Sequence, residues 1–279
     1  MASFIDLHIH TTASDGSDSP IQLLEKLRMA GVRVFSVTDH DTIDGALALE
    51  GRVPEGMVFV RGVEFSCVTP AGKCHILGYG YDPEHPALLD ALHQGRQLRL
   101  EKLRLRLEQL ERDFGIRLTE RELSWLHSRN SPGKPHLGRI LLDRGMAPGL
   151  NEAINTYIRD VPGRDRIEGA VAVAAIEAAG GFPVWAHPLG GEGEKRLTPE
   201  KFEGLLTALT GYGIRGLECR YSRYSAHEAA FLEARAKMLG LAVTGGSDYH
   251  GKNKTGIALG QLGSPWGVDT EELYGIICK

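Results

Sequence analysis

The sequence predicts an α/β fold, because short apolar segments alternate along it with helical segments. Seven segments rich in β-branched and aromatic residues read as strands covered on both faces. They are FIDLHI (4–9), VRVFSVT (32–38), MVFVRGVEF (57–65), CHILGYG (74–80), FPVWAH (182–187), IRGLECR (214–220) and LAVTGG (241–246). Helices that alternate with such strands through short connections indicate parallel pairing. A length of 279 residues suits one large domain, or one domain that carries an insertion.

Several of the helices between these strands have recognisable ends. Ser19 is followed by a proline at the first helical position and, three residues on, by Gln22 as its capping-box partner. That helix is predicted to end at Gly31, which can take the left-handed conformation that closes a helix. Similar starts are predicted at Thr198 and Ser225.

The segment 86–164 interrupts this alternation. It contains no convincing strand and begins with a long charged helix, ALLDALHQGRQLRLEKLRLRLEQLERDFG. Residues 86–145 hold 12 Lys and Arg against 8 Asp and Glu, whereas the rest of the chain holds 20 against 28. We therefore predict an acidic α/β body formed by 1–85 and 165–279, and a basic helical insertion that serves as a substrate-binding arm or lid.

Composition and net charge indicate which ligands and which cellular compartment to expect. The net charge of −4 gives no general case for binding duplex nucleic acid or membranes, and the first residues do not resemble a signal peptide. None of Cys67, Cys74, Cys219 and Cys278 forms a C-x-x-C pair. We expect reduced thiols and a cytoplasmic protein that is a monomer or a small homo-oligomer.

Histidine and acidic residues collect at or beside the ends of the predicted strands. They are His8, His10, Asp15, Asp39, His40, Glu64, His75, His187, Asp248 and His250. The carboxyl ends of parallel strands meet at one rim, so we expect most of these side chains to lie close together. Imidazoles and carboxylates without thiolates suit Mn²⁺, Fe²⁺ or Zn²⁺, and the set is large enough for two or three ions.

The order of these motifs resembles the polymerase and histidinol phosphatase (PHP) family. The motifs are H-x-H-x₄-D, T-D-H, G-x-E, a single histidine, A-H-P and G-S-D-x-H-G, and they lie in 1–85 and 165–279. The resemblance implies a distorted (β/α)₇ TIM-like barrel with a helical insertion domain. It also implies a trinuclear metal centre at the carboxyl rim, for which Mn²⁺ is the preferred ion and Fe²⁺ and Zn²⁺ are alternatives.

The resemblance further implies how the ligands are shared among the metals. One ion would be held by His8, His10, Glu64 and Asp248, a second by Glu64, His75 and His187, and a third by Asp15, His40 and His250. Asp39 would not be a ligand but would orient a ligand imidazole. A metal-bridging hydroxide would then attack phosphorus.

The insertion carries two motifs of its own. Arg96 and Arg99 form R-x-x-R, and S-x-G-K-P-H begins at Ser131. Both are similar to the branch of the family that dephosphorylates nucleoside 3′,5′-bisphosphates, and close relatives trim short RNA from its 5′ end. We expect these arginines, Lys134 and His136 to contact the substrate. The predicted function is therefore phosphatase action on the 3′-phosphate of nucleoside bisphosphates, with 5′–3′ exoribonuclease action on short 5′-phosphorylated RNA as the alternative.

Two further alternatives remain. Metal-dependent amidohydrolases on related barrels usually carry a lysine that bridges two metals. No lysine ends a predicted strand here, and Glu64 occupies the corresponding place. A non-catalytic PHP module kept as a scaffold often loses ligands, whereas this sequence keeps nine.

Overall fold

The computed structural model describes residues 4–191, 195–263 and 275. Its strands are β1 (Ile5–Asp6), β2 (Val34–Val37), β3 (Val58–Thr69), β4 (Gly72–Tyr79), β5 (Ile167–Glu168), β6 (Phe182–Trp185), β7 (Gly216–Tyr221) and β8 (Ala242–Gly246). Its α-helices are α1 (Pro20–Ala30), α2 (Asp44–Leu47), α3 (Pro86–Phe114), α4 (Glu120–His127), α5 (Lys134–Asp143), α6 (Leu150–Tyr157), α7 (Gly169–Ala178), α8 (Pro199–Tyr212) and α9 (Ala226–Leu239). All seven predicted strands are present, and the short β5 was not predicted.

The strands form one sheet in the order β1-β2-β3-β4-β6-β7-β8, and β5 pairs with β3. The two ends of this sheet meet, because Leu7 N donates to Gly245 O at 3.1 Å and Asp248 N donates to His8 O at 2.8 Å. Ile9 and Tyr249 add a parallel bridge at the same seam. The sheet is thus a nearly closed barrel of seven strands, which confirms the predicted distorted (β/α)₇ architecture.

The prediction of parallel pairing is wrong for β4. This strand is antiparallel to both of its neighbours, β3 and β6. β3 continues to Thr69, so that only Pro70 and Ala71 connect it to β4, and two residues can close a hairpin but cannot make a parallel crossover. Because β4 runs in the opposite direction, His75 near its start lies where the parallel strands end.

Separate apolar clusters fill the barrel and the insertion. The cluster inside the barrel takes residues from five strands and the segments beside them: Ile5, Leu7, Val34, Val60, Leu77, Tyr79, Phe182, Val184 and Ala186. The insertion has its own cluster of Leu103, Leu110, Ile116, Leu126, Leu137, Ile140, Leu141, Ala153 and Ile158. Helix α3 joins the two bodies, because its first turns place Leu88, Ala91 and Leu92 in a barrel cluster.

The predicted helix ends are confirmed. The Ser19 side chain accepts from Gln22 N, and Gly31 closes α1 with a φ of 76°. Thr198 and Ser225 cap α8 and α9 in the same manner. None of the helices in the described ranges combines the length and the apolar character needed to cross a membrane.

Candidate metal centre

The nine predicted ligands converge at one rim of the barrel. Each is a buried or nearly buried side chain, with at most 15% of its surface exposed. They come from the strand ends and loops of the whole barrel: His8, His10, Asp15, His40, Glu64, His75, His187, Asp248 and His250. The fold therefore brings together side chains that are as much as 242 residues apart in the sequence.

Glu64 lies at the centre of the cluster, with five imidazoles around it. Its Oε1 is 3.0 Å from His75 Nδ1, 3.1 Å from His187 Nε2 and 3.4 Å from His8 Nε2, and its Oε2 is 2.9 Å from His40 Nδ1 and 3.2 Å from His10 Nε2. Burial alone would raise the pKa of this carboxyl, but the surrounding imidazoles lower it well below its usual range. Glu64 is placed to serve more than one ion, as the bridging role requires.

Asp15 and Asp248 extend the cluster on either side of His10. Asp15 Oδ1 is 3.2 Å from His250 Nε2, and Asp248 Oδ1 is 3.4 Å from His10 Nε2. Three groups have ligand atoms within 4.8 Å of one another: His10, Asp15, His40 and His250; His8, His10 and Asp248; and His40, Glu64 and His75. The first two groups match two of the implied sites, with His10 shared between them. His40 also joins the third group, in which His187 was expected.

Unsatisfied polar atoms test whether this cluster fits metal ions. His40 Nδ1, Glu64 Oε2 and His250 Nε2 are buried without a hydrogen-bond partner in the described part of the chain. His40 Nδ1 and Glu64 Oε2 are close enough to bond, but the angles do not suit a hydrogen bond. Buried nitrogen and oxygen atoms seldom stay unpaired, because losing water costs free energy. Lone pairs that converge without bonding to one another fit divalent cations.

Several proteins of known activity are similar to this chain over most of its length. No protein-family model matches it. A 3′,5′-nucleoside bisphosphate phosphatase from Chromobacterium violaceum is 29% identical over 261 residues, which cover 92% of this chain and 90% of the relative. A 5′-3′ exoribonuclease from Haemophilus influenzae is 29% identical over 265 residues, with 90% and 91% covered. A phosphoribosyl 1,2-cyclic phosphate 1,2-diphosphodiesterase from Eggerthella lenta is 31% identical over 267 residues, with 88% and 94% covered.

Solved structures agree with these relatives. A metal-dependent phosphoesterase from Bifidobacterium adolescentis superposes with a TM-score of 0.82 at 27% identity, covering 98% of this chain and 95% of that one. The chain belongs to the PHP family of metal-dependent phosphoesterases. A second structure, described as an amidohydrolase from Chromobacterium violaceum with bound sulfate, has a TM-score of 0.81 at 25% identity, with 99% and 97% covered.

Family membership confirms the central prediction. This PHP protein is a metal-dependent phosphoric ester hydrolase, and its cofactors are divalent metal ions. The three relatives named above, a phosphatase, an exoribonuclease and a phosphodiesterase, all act on phosphate esters. The phosphoesterase prediction thus prevails over the amidohydrolase and scaffold alternatives.

Glu218 is a buried residue of the PHP site that sequence reasoning missed. It lies on β7, where its Oε1 accepts from His8 Nδ1 at 2.8 Å and its Oε2 accepts from His187 N at 2.7 Å. The first bond fixes the His8 tautomer, so that the lone pair of Nε2 faces the cluster. The available signal was a carboxylate between the apolar residues Leu217 and Cys219 of a strand predicted to be covered on both faces, because an unpaired buried charge is costly.

Asp39 acts on the cluster through the loop after His10. Its oxygens accept from Thr11 N at 2.8 Å, Thr11 Oγ1 at 2.7 Å and Ser14 Oγ at 2.6 Å. Ser14 Oγ in turn lies 3.4 Å from His10 Nδ1. Asp39 therefore reaches the imidazole of His10 through Ser14.

Asp248 is held by two further residues of the site. Tyr221 Oη and Lys254 Nζ each donate to its Oδ2 at 2.7 Å, which leaves Oδ1 directed at the imidazoles. Burial would raise the pKa of Asp248, but Lys254 and His250 lower it well below its usual range. The carboxylate is thus kept ionised and oriented, as a metal ligand must be.

Two of the ligands have an uncommon backbone conformation. The φ angles of His187 and Asp248 are 31° and 58°, and that of Asp41 is 51°. Such angles are unfavourable for residues other than glycine and concentrate at functional sites. Close packing is also required at Gly246, where a Cβ would come within 2.2 Å of the Cβ of His8.

The predicted substrate-binding residues lie beside the cluster, and they differ in how far their side chains are already hydrogen-bonded within the protein. Arg99 Nε donates to Asp41 Oδ2 at 2.6 Å and its Nη2 donates to Ser66 Oγ at 2.6 Å. Arg96 donates to Asn130 O at 3.1 Å, so it supports the loop before α5. Lys134 is half-buried at the first position of α5.

His136 differs from its predicted role. Gly133 N donates to its Nδ1 at 3.2 Å, which makes Nε2 the protonated nitrogen, and Nε2 donates to Ser14 O at 2.9 Å. Both ring nitrogens are therefore used within the protein. In this structure His136 ties the insertion to the metal-binding loop and does not present a free donor to a phosphate.

Proposed function

We propose that this PHP enzyme hydrolyses phosphate monoesters of nucleotides, and that its preferred substrate is a nucleoside 3′,5′-bisphosphate cleaved at the 3′-phosphate. The observation that carries the proposal is the position of Arg99, Ser131 and Lys134 of the insertion beside the nine-residue cluster, where they would form a second anion site. A substrate with two phosphates would fill both sites at once. The named activity of the Chromobacterium violaceum relative supports this choice.

Arg99 is the first component of the second anion site. Its bonds to Asp41 and Ser66 engage Nε and Nη2 and fix the plane of the guanidinium. Nη1 points toward Gly133, where a Cβ would lie 3.3 Å away, so the absence of a side chain keeps this side open. A preoriented guanidinium binds phosphate well, because it loses little conformational entropy when the ligand arrives.

The S-x-G-K loop supplies the other components. Ser131 Oγ is buried, and it has no hydrogen-bond partner among the residues that the structure describes. Lys134 begins α5, a helix of 10 residues whose dipole favours an anion at that end. Burial and the nearby Arg106 lower the pKa of Lys134. A hydroxyl, an ammonium group and a helix N-terminus together form a phosphate-binding set.

The residues of the metal centre would then perform the chemistry at the other phosphate. Divalent ions held by the nine ligands would polarise the phosphate ester and make water a stronger nucleophile. Glu218 and Asp39 keep the ligand set in one geometry, and Lys254 supplies a positive charge beside Asp248. Arg99 and Lys134 fix the distance between the two phosphates, which orients the reacting one.

Several finer features are part of the same proposal. Nitrogen and oxygen ligands without sulfur support Mn²⁺ as the preferred ion. The separate core of the insertion supports 86–164 as a substrate-binding arm on a barrel formed by 1–85 and 165–279. The three described cysteines are free thiols, which supports a reducing, cytoplasmic setting, and Cys278 lies outside the described residues. We keep a monomer or small homo-oligomer that binds no duplex nucleic acid as an expectation.

The substitution Lys134→Ala tests the second anion site. We expect KM for adenosine 3′,5′-bisphosphate to rise about tenfold, because the second phosphate loses a charged partner, while KM for an aryl phosphate stays within about twofold. Steady-state phosphate release with Mn²⁺ measures both. Lys237→Ala, which removes an exposed lysine of α9, is the matched control. Equal effects on the two substrates would remove Lys134 from the site. If the wild-type enzyme releases phosphate from neither the bisphosphate nor AMP, the proposed function is wrong.

A further inference from the structure

A cavity of about 400 Å³ lies between the β3–β4 hairpin and the segment that leaves the insertion. Its volume falls within the range of small-molecule sites. Its lining combines the apolar side chains of Val68, Pro70 and Val161 with the cations Lys73 and Arg166, and it also includes the carboxylates Asp160, Asp165 and Glu168. A nucleotide likewise combines a flat apolar base with an anionic phosphate.

The hairpin connects this cavity to the metal centre. Lys73 and His75 are two residues apart on β4, so their side chains point to the same face. Across the hairpin, Ser66 pairs with His75 and Val68 with Lys73. A smaller cavity is lined by Lys73, Arg166, His75 and His187, and it therefore joins the large cavity to two of the metal ligands.

Most charged groups of the large cavity are already paired. Asp165 accepts from Arg106, Glu168 accepts from Arg164, and Lys102 donates to the carbonyls of Val161 and Gly163. The carboxylate of Asp160, 3.9 Å from Lys102, is largely exposed. Arg166 Nη1 donates only to a backbone oxygen, that of Cys74, at 3.3 Å. Within residues 4–191 and 195–263, neither Lys73 nor Arg166 has an ion pair with a carboxylate.

We propose that Lys73 and Arg166 form a third phosphate subsite, separate from the cluster and from Arg99 with Lys134. It would bind the phosphate of a further nucleotide, whose base would lie against Val68, Pro70 and Val161. A ligand with three phosphates along one chain is a short oligonucleotide, so this subsite favours short 5′-phosphorylated RNA as an additional substrate. The inference rests on the proposed function, because the subsite would bind a further nucleotide attached to the substrate proposed there.

The double substitution Lys73→Ala/Arg166→Ala tests the subsite by substrate length. We expect kcat/KM for a 5′-phosphorylated adenosine trinucleotide to fall about tenfold, and that for adenosine 3′,5′-bisphosphate to change less than about twofold. The control is Arg104→Ala/Lys237→Ala, which removes two cations from exposed helix faces. Metal content per chain should be the same in all three proteins.

A binding measurement separates this inference from the proposed function. EDTA-treated protein cannot cleave, so a trinucleotide with a 3′-fluorescein label can be titrated at several salt concentrations by fluorescence anisotropy. The slope of log affinity against log salt should become shallower by about 0.7 for each phosphate that the variant no longer neutralises. An unchanged slope, or an equal loss of kcat/KM for the bisphosphate and the trinucleotide, would overturn the subsite. A wild-type protein that binds the trinucleotide with the expected slope change but cleaves neither substrate would instead overturn the proposed function.

Discussion

The metal centre and the basic insertion beside it are built differently. The ligands of the centre are buried and held by a further layer of residues, as when Glu218 fixes His8 and Lys254 fixes Asp248. In the insertion, Arg99 is held by Asp41 and Ser66, but Lys134 and Ser131 are less constrained. Lys134 is half-buried, and Ser131 Oγ has no partner in the described ranges.

Because of this difference, we expect the metal centre to govern the chemical step and the insertion to govern the choice of substrate. A centre whose predicted ligands are supported in this way tolerates little change, because each of them must stay within a fraction of an ångström of its position. The insertion has its own apolar core, so its loops can vary with less effect on that geometry, except where His136 and Arg99 bond to the barrel rim. We therefore expect substitutions in the barrel rim to affect turnover and metal affinity, and substitutions in the insertion to affect KM.

The largest effect is expected from Glu64→Gln. This change removes a negative charge shared by five imidazoles, so at least one ion should be lost and kcat/KM should fall by about a thousandfold or more. Elemental analysis for metal and steady-state phosphate release measure the two consequences. Glu50→Gln, at an exposed surface ion pair with Arg61, is the control. Full metal content with near-normal turnover would show that Glu64 is not a bridging ligand.

A smaller effect is expected from Glu218→Gln, which alters the support of the ligands and not the ligands themselves. The amide keeps one acceptor oxygen, so either His8 Nδ1 or His187 N loses its acceptor. Metal affinity should fall by about 10- to 100-fold, with most of the turnover recovered at saturating metal. Competition with a chelator measures the affinity, and Glu233→Gln, on the outer pair with Arg220, is the comparison. An affinity equal to that of the wild type would exclude the supporting role.

The sequence predicted the barrel rim better than it predicted the connections. The positions of the candidate ligands were readable because His and Asp at strand ends can be recognised without knowledge of distant contacts. The extension of β3 to Thr69 stayed hidden, but the eight residues 66–73 between the two predicted strands are too few for a parallel crossover and already indicated an antiparallel β4. The bonds of His136 were also hidden, since they depend on how the insertion lies against the loop at Ser14.

The smallest effect is expected when a single buried hydroxyl is removed, either from the insertion or from the barrel. Ser131 Oγ and Ser36 Oγ are both buried, and the part of the chain that the structure describes offers neither a hydrogen-bond partner. Replacing either with alanine should leave the unfolding temperature unchanged or raise it slightly, because an unpaired buried hydroxyl costs free energy.

The two variants should differ in substrate binding. Ser131→Ala should raise KM for adenosine 3′,5′-bisphosphate about fivefold, because its hydroxyl would donate to the second phosphate, whereas Ser36→Ala should not change KM. Differential scanning fluorimetry and steady-state kinetics give both quantities on the same samples. If Ser131→Ala raises the unfolding temperature without raising KM, the hydroxyl is an unpaired group of the insertion core. The second anion site would then depend on Arg99, Lys134 and the first turn of α5 alone.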